Sequence, residues 1–467
     1  MSVEEAKKVA ASFAGTSFVP PPRTIHDIVV MLDQQPPADA VALKTTLARL
    51  KQTPPNTTDL RDLSAFYLTR GVWAYHLGRV RQAIEDLRRA VDYARQGRSG
   101  REHVVLQALA HAESQGGSFS SSVTHLRQAI SRVTQESRGY LIIFHAFLAA
   151  SEAAAGDLTA ADASLGEMRK VLAESAGWQA LSPAQSAVLW RFAASGEAAV
   201  AGARGQLAKA EGFYRDAVAN ASRAVDLGFR QHDDPALPDY TEVVNRLRVP
   251  LINVLIREGR LLEAENEARA SLRETVRTQG RYSMNTALQL EPLVRVVAEQ
   301  GRYAEAETLA RVLGDILDKV GALSESVVRA RAWDMLGEVL AAQGRWAEAL
   351  AAYDQLRDGM KEDAETYEKL FAGSVTRALA LVQGGRAQEA VAALDRQLAR
   401  VGLALGDNDP SVAEVHGALG VAHAALGNQP RGLDKFGRAS VVLLASRPEE
   451  AAGATWALAQ QRRRLIL

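Results

Sequence analysis

The phrases G-R-L-L-E-A at 259–264, G-R-Y-A-E-A at 301–306, G-R-W-A-E-A at 344–349 and G-R-A-Q-E-A at 385–390 are four copies of one pattern. Their glycines are 42, 43 and 41 residues apart. A fixed period of this size marks a stack of like supersecondary units and outranks any single-residue clue. Weaker copies begin at Gly78, Gly117, Gly156, Gly205 and Gly427, so the intervals become 39, 39, 49, 54, 42, 43, 41 and 42. Nine units result, and a repeat scaffold with a binding surface is the expected kind of protein.

Composition narrows the choice. Ala, Leu, Arg, Glu and Gln dominate, the residues that lose least on entering a helix, and no long period-2 alternation occurs. The chain therefore reads as all-α. Lys+Arg and Asp+Glu both number 55, which argues against a surface devoted to nucleic acid or anionic membrane. With no cysteine among 467 residues there are no disulfides, thiolate metal sites or cysteine nucleophiles. No run of about 18 apolar residues is present to span a membrane. The start, M-S-V-E-E-A-K-K, lacks the apolar core of a signal peptide. The cytoplasm is the expected compartment, with the periplasm or secretion as the alternative if a leader has been removed.

The glycine phrase has a physical reading. Glycine adopts the left-handed conformation cheaply and ends the first helix of each unit. The residue two later (Leu261, Tyr303, Trp346) plugs the layer between units, and the alanine five later (Ala264, Ala306, Ala349) sits where two helices touch. In the clearest copy Trp333, Leu336, Gly337 and Leu340 precede Gly344, and Trp346, Ala349 and Tyr353 follow it. Bulky residues four apart on one helix thus meet small ones on the next.

These positions resemble the tetratricopeptide repeat family over 59–467, most strongly over 245–445. The period exceeds the family's usual 34 residues, and a spacing near 42 resembles the long-helix variant of kinesin light chains, whose inter-repeat phrase G-D-N-D-P-S-V-A-E-V at 406–415 is similar to. The resemblance implies a right-handed α-solenoid of about nine antiparallel helix hairpins, an open spiral with no enclosed pocket. Residues 1–58 are expected to form an ordered N-terminal cap or arm. Proline clusters there bound helical segments at about 24–33 and 38–50, with Thr24 and Asp39 as N-caps, after a loose tail to about residue 18. The two long intervals imply loops at 232–239 and near 177–183, the second opening a helix at Ser182-Pro183.

Catalytic and metal readings are weak. His103 and His111, and His416 and His423, share helix faces, yet no third ligand stands nearby. No nucleophile elbow, P-loop or dinucleotide fingerprint appears. The recurring Glu-Ala carboxylates read as solvated helix starts, and no acids cluster on one face. The expectation is no enzyme, no catalytic or metal residue and no cofactor.

The resemblance places the inner groove on the first helix of each unit, thirteen, ten, six and three residues before each glycine. This register selects Tyr75, Gln107, His111, Arg246, Asn253, Arg295, Arg331 and Glu338 as the candidate contacts for a protein or peptide ligand. The family's chaperone-carboxylate clamp is absent, since its positions read Leu68/Val72, Gln107/His111 and Val249/Asn253. A second, shorter resemblance stays open beside the first. F-V-P-P-P-R-T-I-H-D-I at 18–28, with D-Q-Q-P-P following, is similar to the start of bacterial proteins that carry such repeats ahead of a caspase-like CHAT protease. It implies a regulatory array whose catalytic domain lies beyond this chain. The ending R-R-R-L-I-L fits that expectation, because the chain stops inside an amphipathic helix.

Overall fold

The structure, a computed structural model, describes residues 21–36, 48–178, 181–229, 240–405, 409–445 and 457–466. Among them there is helix and no strand. A short helix α1 (His26–Asp33) precedes nine antiparallel hairpins. These pair α2 (Leu60–His76) with α3 (Val80–Gln96), α4 (Glu102–Gln115) with α5 (Phe119–Ser131), and α6 (Gly139–Ala154) with α7 (Leu158–Ser175). Next come α8 (Pro183–Ala203) with α9 (Leu207–Asp226), α10 (Tyr240–Glu258) with α11 (Leu261–Gln279), and α12 (Met284–Glu299) with α13 (Tyr303–Lys319). Then α14 (Val327–Ala342) pairs with α15 (Trp346–Gly359). After a short α16 (Ala364–Leu370) follow α17 (Val375–Gln383) with α18 (Ala387–Leu405), and α19 (Pro410–Ala425) with α20 (Gln429–Ala445). A last helix, α21 (Ala457–Ile466), stands outside the hairpins.

The nine glycines of the repeat phrase all make the hairpin turn with positive φ, from 69° at Gly78 to 90° at Gly156. At Gly344 the backbone closes as a helix-ending pair: Gly344 donates to the Ala341 carbonyl (2.9 Å) and Arg345 to that of Leu340 (3.0 Å). Ala264, Ala306 and Ala349 are fully buried, as the contact position requires. Gly337 has no room for a side chain, since a Cβ there would lie 2.7 Å from the Tyr353 ring. Trp346 packs against Leu340, Ala341, Ala349 and Tyr353 of its own hairpin together with Ala380 of the next, forming the expected plug between units.

The arginine of the phrase has a role that the sequence reading did not assign. Arg260 pairs with Glu263 of its own repeat and with Glu211 of the preceding one, both at 2.5 Å. Arg302 likewise bridges Glu305 and Glu265, Arg345 bridges Glu348 and Glu307, and Arg386 bridges Glu389 and Asp354. The Glu-Ala carboxylates are therefore not simply solvated helix starts, because each is one half of a clasp between neighbouring hairpins. Apart from Arg302–Glu265, whose carboxylate is buried, each partly exposed pair stabilises by only about 0.2–1 kcal/mol, so these clasps set register more than stability.

Other local expectations have mixed outcomes. Ser182 caps α8 with Gln185 returning the bond, and Pro183 holds the first helical position. Asp409 accepts the Ser411 N–H at 2.8 Å, so the Asp-Pro pair does open α19. Thr24 is not a cap: α1 starts after Ile25 without a side-chain bond, and the Thr24 carbonyl accepts from Arg269 instead. The expected tail, the cap Asp39, most of 38–50 and the loop at 232–239 lie outside the described residues, as does the start of the phrase at 18–28. In the eighth repeat the first helix is broken. Asp363 caps α16 and Ser374 caps α17, and the two caps split what the period alone reads as one helix.

The spiral is not open. Val327 donates its N–H to the Gly78 carbonyl (3.2 Å), and Lys369 reaches the Ser118 hydroxyl (2.9 Å). Val80 joins an apolar cluster with Val327, Leu356, Met360, Tyr367 and Phe371. The turns of the first two hairpins thus rest on the seventh and eighth, because the small rotation at each hairpin accumulates until the stack meets itself. The arm is docked too. Ile28 and Leu32 of α1 are buried in the same core as Leu272 and Val276 of α11, and Asp27 pairs with Arg269 (2.6 Å) and Arg273 (2.7 Å).

Candidate binding groove

The first helices of the hairpins line the inner face, and the candidate residues fall there by the period of the glycine phrase. The structure brings four of the eight to one cavity of about 390 Å³: Asn253 of α10, Arg295 of α12, and Arg331 and Glu338 of α14. Arg246 adjoins it, donating to Asn285 (2.7 Å) and meeting His76 Nδ1 at 3.1 Å. Tyr75 lies beside Arg246 and Arg331, and burial pushes its phenol pKa up. His111 is packed edge-on against Phe147, with ring centroids 4.0 Å apart, and lies 6.5 Å from the Tyr75 ring. Burial, aided by the charge of Arg191, pulls the His111 imidazole down to about 4, so it is neutral at physiological pH. Gln107 does not join this group; it lines a second cavity of about 800 Å³ nearer the first hairpins.

The same cavity holds two acids passed over in the sequence. Glu291 stands ten residues before Gly301 and Asp334 ten before Gly344, positions that the register itself marks. The expectation that no acids cluster on one face is therefore corrected: Glu291, Asp334 and Glu338 all line this cavity. Burial pushes Glu291 up to about 7 although Arg331 lies 3.8 Å away. Asp334 is held well above the ordinary carboxylate range by burial and by Glu338 one turn along the helix. Arg295 and Arg331 oppose both shifts without cancelling them. The outcome is a surface of fixed donors and partly protonated carboxyls, suited to hydrogen-bonding a polar backbone and to pairing with charged side chains.

The sequence also gave no sign of what lies across this face. Helix α21 runs over the inner sides of α12, α14, α17 and α19. Leu458 borders the 390 Å³ cavity with Phe371, and Ile466 is buried with Ala413, Ala439 and Leu443. Arg462 and Arg463 both pair with Glu414, at 3.3 and 3.7 Å, and Arg462 lies close enough to Glu338 and Glu299 to feel their charge. Arg462 and Arg463 of the basic run are thus groove contacts. Among the described residues no group of three His, Asp or Glu could hold a metal ion, and no helix is long and apolar enough to cross a membrane.

No family model matches the sequence, and no curated protein matches it. Solved structures it is similar to include tetratricopeptide-repeat proteins. A Rap protein complexed with competence and sporulation factor is 13% identical, covering 82% of this chain and 98% of that one, with a TM-score of 0.49. A STAND signal-transduction ATPase with a tetratricopeptide repeat sensor, from Pyrococcus horikoshii, is 11% identical, covering 91% and 54%, with a TM-score of 0.42. BtubC (BKLC) from P. vanneervenii is 19% identical over 51% of this chain and 91% of that one, with a TM-score of 0.37. At such identities the likeness concerns the fold alone, and the hairpin stack stands on the packing described above.

Proposed function

We propose that this chain is a non-enzymatic interaction scaffold whose inner face receives a segment of a protein or peptide partner. The observation that carries the reading is α21, an amphipathic stretch of ten residues seated along that face, with Arg462 and Arg463 on Glu414, Leu458 between first helices and Ile466 packed on α19 and α20. A surface that seats one such segment has the pockets and the charge to seat another. Asn253, Arg295, Arg331 and Glu338 are the proposed contacts at the centre, with Tyr75, Arg246, His111 and Gln107 extending the face toward the first hairpins.

The test compares the proteins that co-purify with the wild-type chain, with Arg331→Glu/Glu338→Lys, and with Arg277→Glu on the outer helix α11. Polypeptides retained by wild type and by Arg277→Glu but lost from the inner-face variant are the expected result. Equal retention by all three would contradict the proposal.

A further inference from the structure

The larger cavity differs in chemistry from the central groove, and Gln107 alone of the proposed groove contacts lines it. Its walls carry the rings of Tyr140, Trp178, Phe192, Phe229 and Tyr240. Set among them is Arg191 of α8, only 9% exposed, its guanidinium 3.4 Å from the Phe192 ring centre and 5.8 Å from that of Tyr240. Its Nε has no hydrogen-bond partner among the described residues. No described carboxylate supports its charge; Tyr240 is the neighbour that does, and burial pulls the guanidinium down to about 10, which still leaves a cation at neutral pH.

A buried cation with no carboxylate among its described neighbours is costly, and one kept beside an opening offers a place for an anion. The remaining lining has the same sign. Arg101 and Arg138 stand at the rim, Arg138 stacked 4.1 Å over Trp178, against the single carboxylate of Glu136. Among the described residues, three arginines and one acid leave the lining at +2. Residues at the starts of α6, α8 and α10 (Tyr140, Gln185 and Tyr240) and Arg101 just before α4 also face the cavity, so four helix N-termini add partial positive charge. A volume of about 800 Å³ suits a small ligand and not a folded partner.

We infer that this cavity binds a small organic anion with a planar aromatic body, the ring between the aromatic walls and the acidic group on Arg191. Stacking on the rings and a charge-assisted bidentate contact would together fix its orientation. The acidic group is a carboxylate or a phosphate, and the probes separate the two.

The experiment titrates the full chain with indole-3-acetate and with adenosine monophosphate, following tryptophan fluorescence and melting temperature. Indole-3-acetamide and adenosine are the uncharged counterparts. Saturable binding of one or both acids is expected, at least about tenfold weaker for the matching neutral compound and for Arg191→Gln. Binding of indole-3-acetate alone assigns a carboxylate, and binding of the nucleotide alone a phosphate. Should Arg191→Gln not fold, Arg138→Gln at the rim keeps the test alive: it should weaken the acid several-fold and leave the neutral compound unchanged. Absence of binding by both acids at millimolar concentration would overturn the inference. So would equal binding of the neutral compounds, or acid binding unaffected by both substitutions. Neither result bears on the protein-partner reading, whose central contacts Asn253, Arg295, Arg331 and Glu338 lie in the other cavity.

Discussion

Replacing Arg269 by alanine is expected to destabilise the fifth and sixth hairpins by about 1.5–3 kcal/mol, the cost of removing charge-assisted bonds from a buried carboxylate that keeps a second arginine. Arg269 is 1% exposed and holds Glu265, which is fully buried, at 2.6 Å. Glu265 would keep Arg302, which reaches both of its oxygens (3.1 and 3.0 Å), and the Gln300 amide (2.8 Å), but it would lose both bonds that Arg269 donates to Oε1. The guanidinium also holds the arm, through Asp27 and the Thr24 carbonyl. Arg269→Ala should therefore release α1 as well as loosen the hairpins. Hydrogen exchange would read both, as lost protection across α11 and α12 and in 26–33. Asp27→Ala is the comparison: its carboxylate is a third exposed, so only α1 should loosen, by about 1 kcal/mol. A loss below about 1 kcal/mol for Arg269→Ala would refute this account of the arm.

Glu291→Gln should stabilise the chain at pH 8 and leave it nearly unchanged at pH 5. The native carboxyl titrates near 7 against an ordinary 4.5, so the folded state holds the proton more tightly than the unfolded state. Its contribution is fully present below pH 4.5 and is lost as pH rises through 7, a swing of about 3 kcal/mol. The amide mimics the protonated form and cannot ionise, which removes that slope. His111 works in the opposite sense, since its lowered pKa costs stability as pH falls from 6.5 toward 4. It is common to both proteins and cancels in the difference. Urea unfolding of the pair at pH 5, 6.5 and 8 gives the answer, and a difference that does not change with pH would show that Glu291 is ionised at ordinary values in the folded chain.

Much of the fold could be read because each hairpin is specified by its own residues. The glycine before each Arg or its substitute sets a turn, the alanine five later sets a contact, and Ser182-Pro183 announces a helix start with its bonding partner, Gln185, three residues on. The same register found Asn253, Arg295, Arg331 and Glu338, and it also marked Glu291 and Asp334, whose environment is visible only once three first helices are placed side by side. The clasps were hidden because the second carboxylate of each, such as Glu307 for Arg345, comes from the previous unit. Closure of the stack was hidden for a stronger reason: Gly78 and Val327 are 249 residues apart, and a repeat pattern encodes how neighbours pack, not where the accumulated rotation brings distant units together. The seat of α21 depends on that same global curvature.

The most direct measurement concerns the inner face itself. A synthetic peptide with the sequence of residues 457–466, A-L-A-Q-Q-R-R-R-L-I, is titrated into the full chain carrying Leu458→Asp and Ile466→Asp, which displace the resident helix. Saturable binding is predicted, weakened by about tenfold or more when Glu414→Arg is added. A peptide that does not bind, or that binds equally well with Glu414 reversed, would mean that the inner face is not a surface for protein segments.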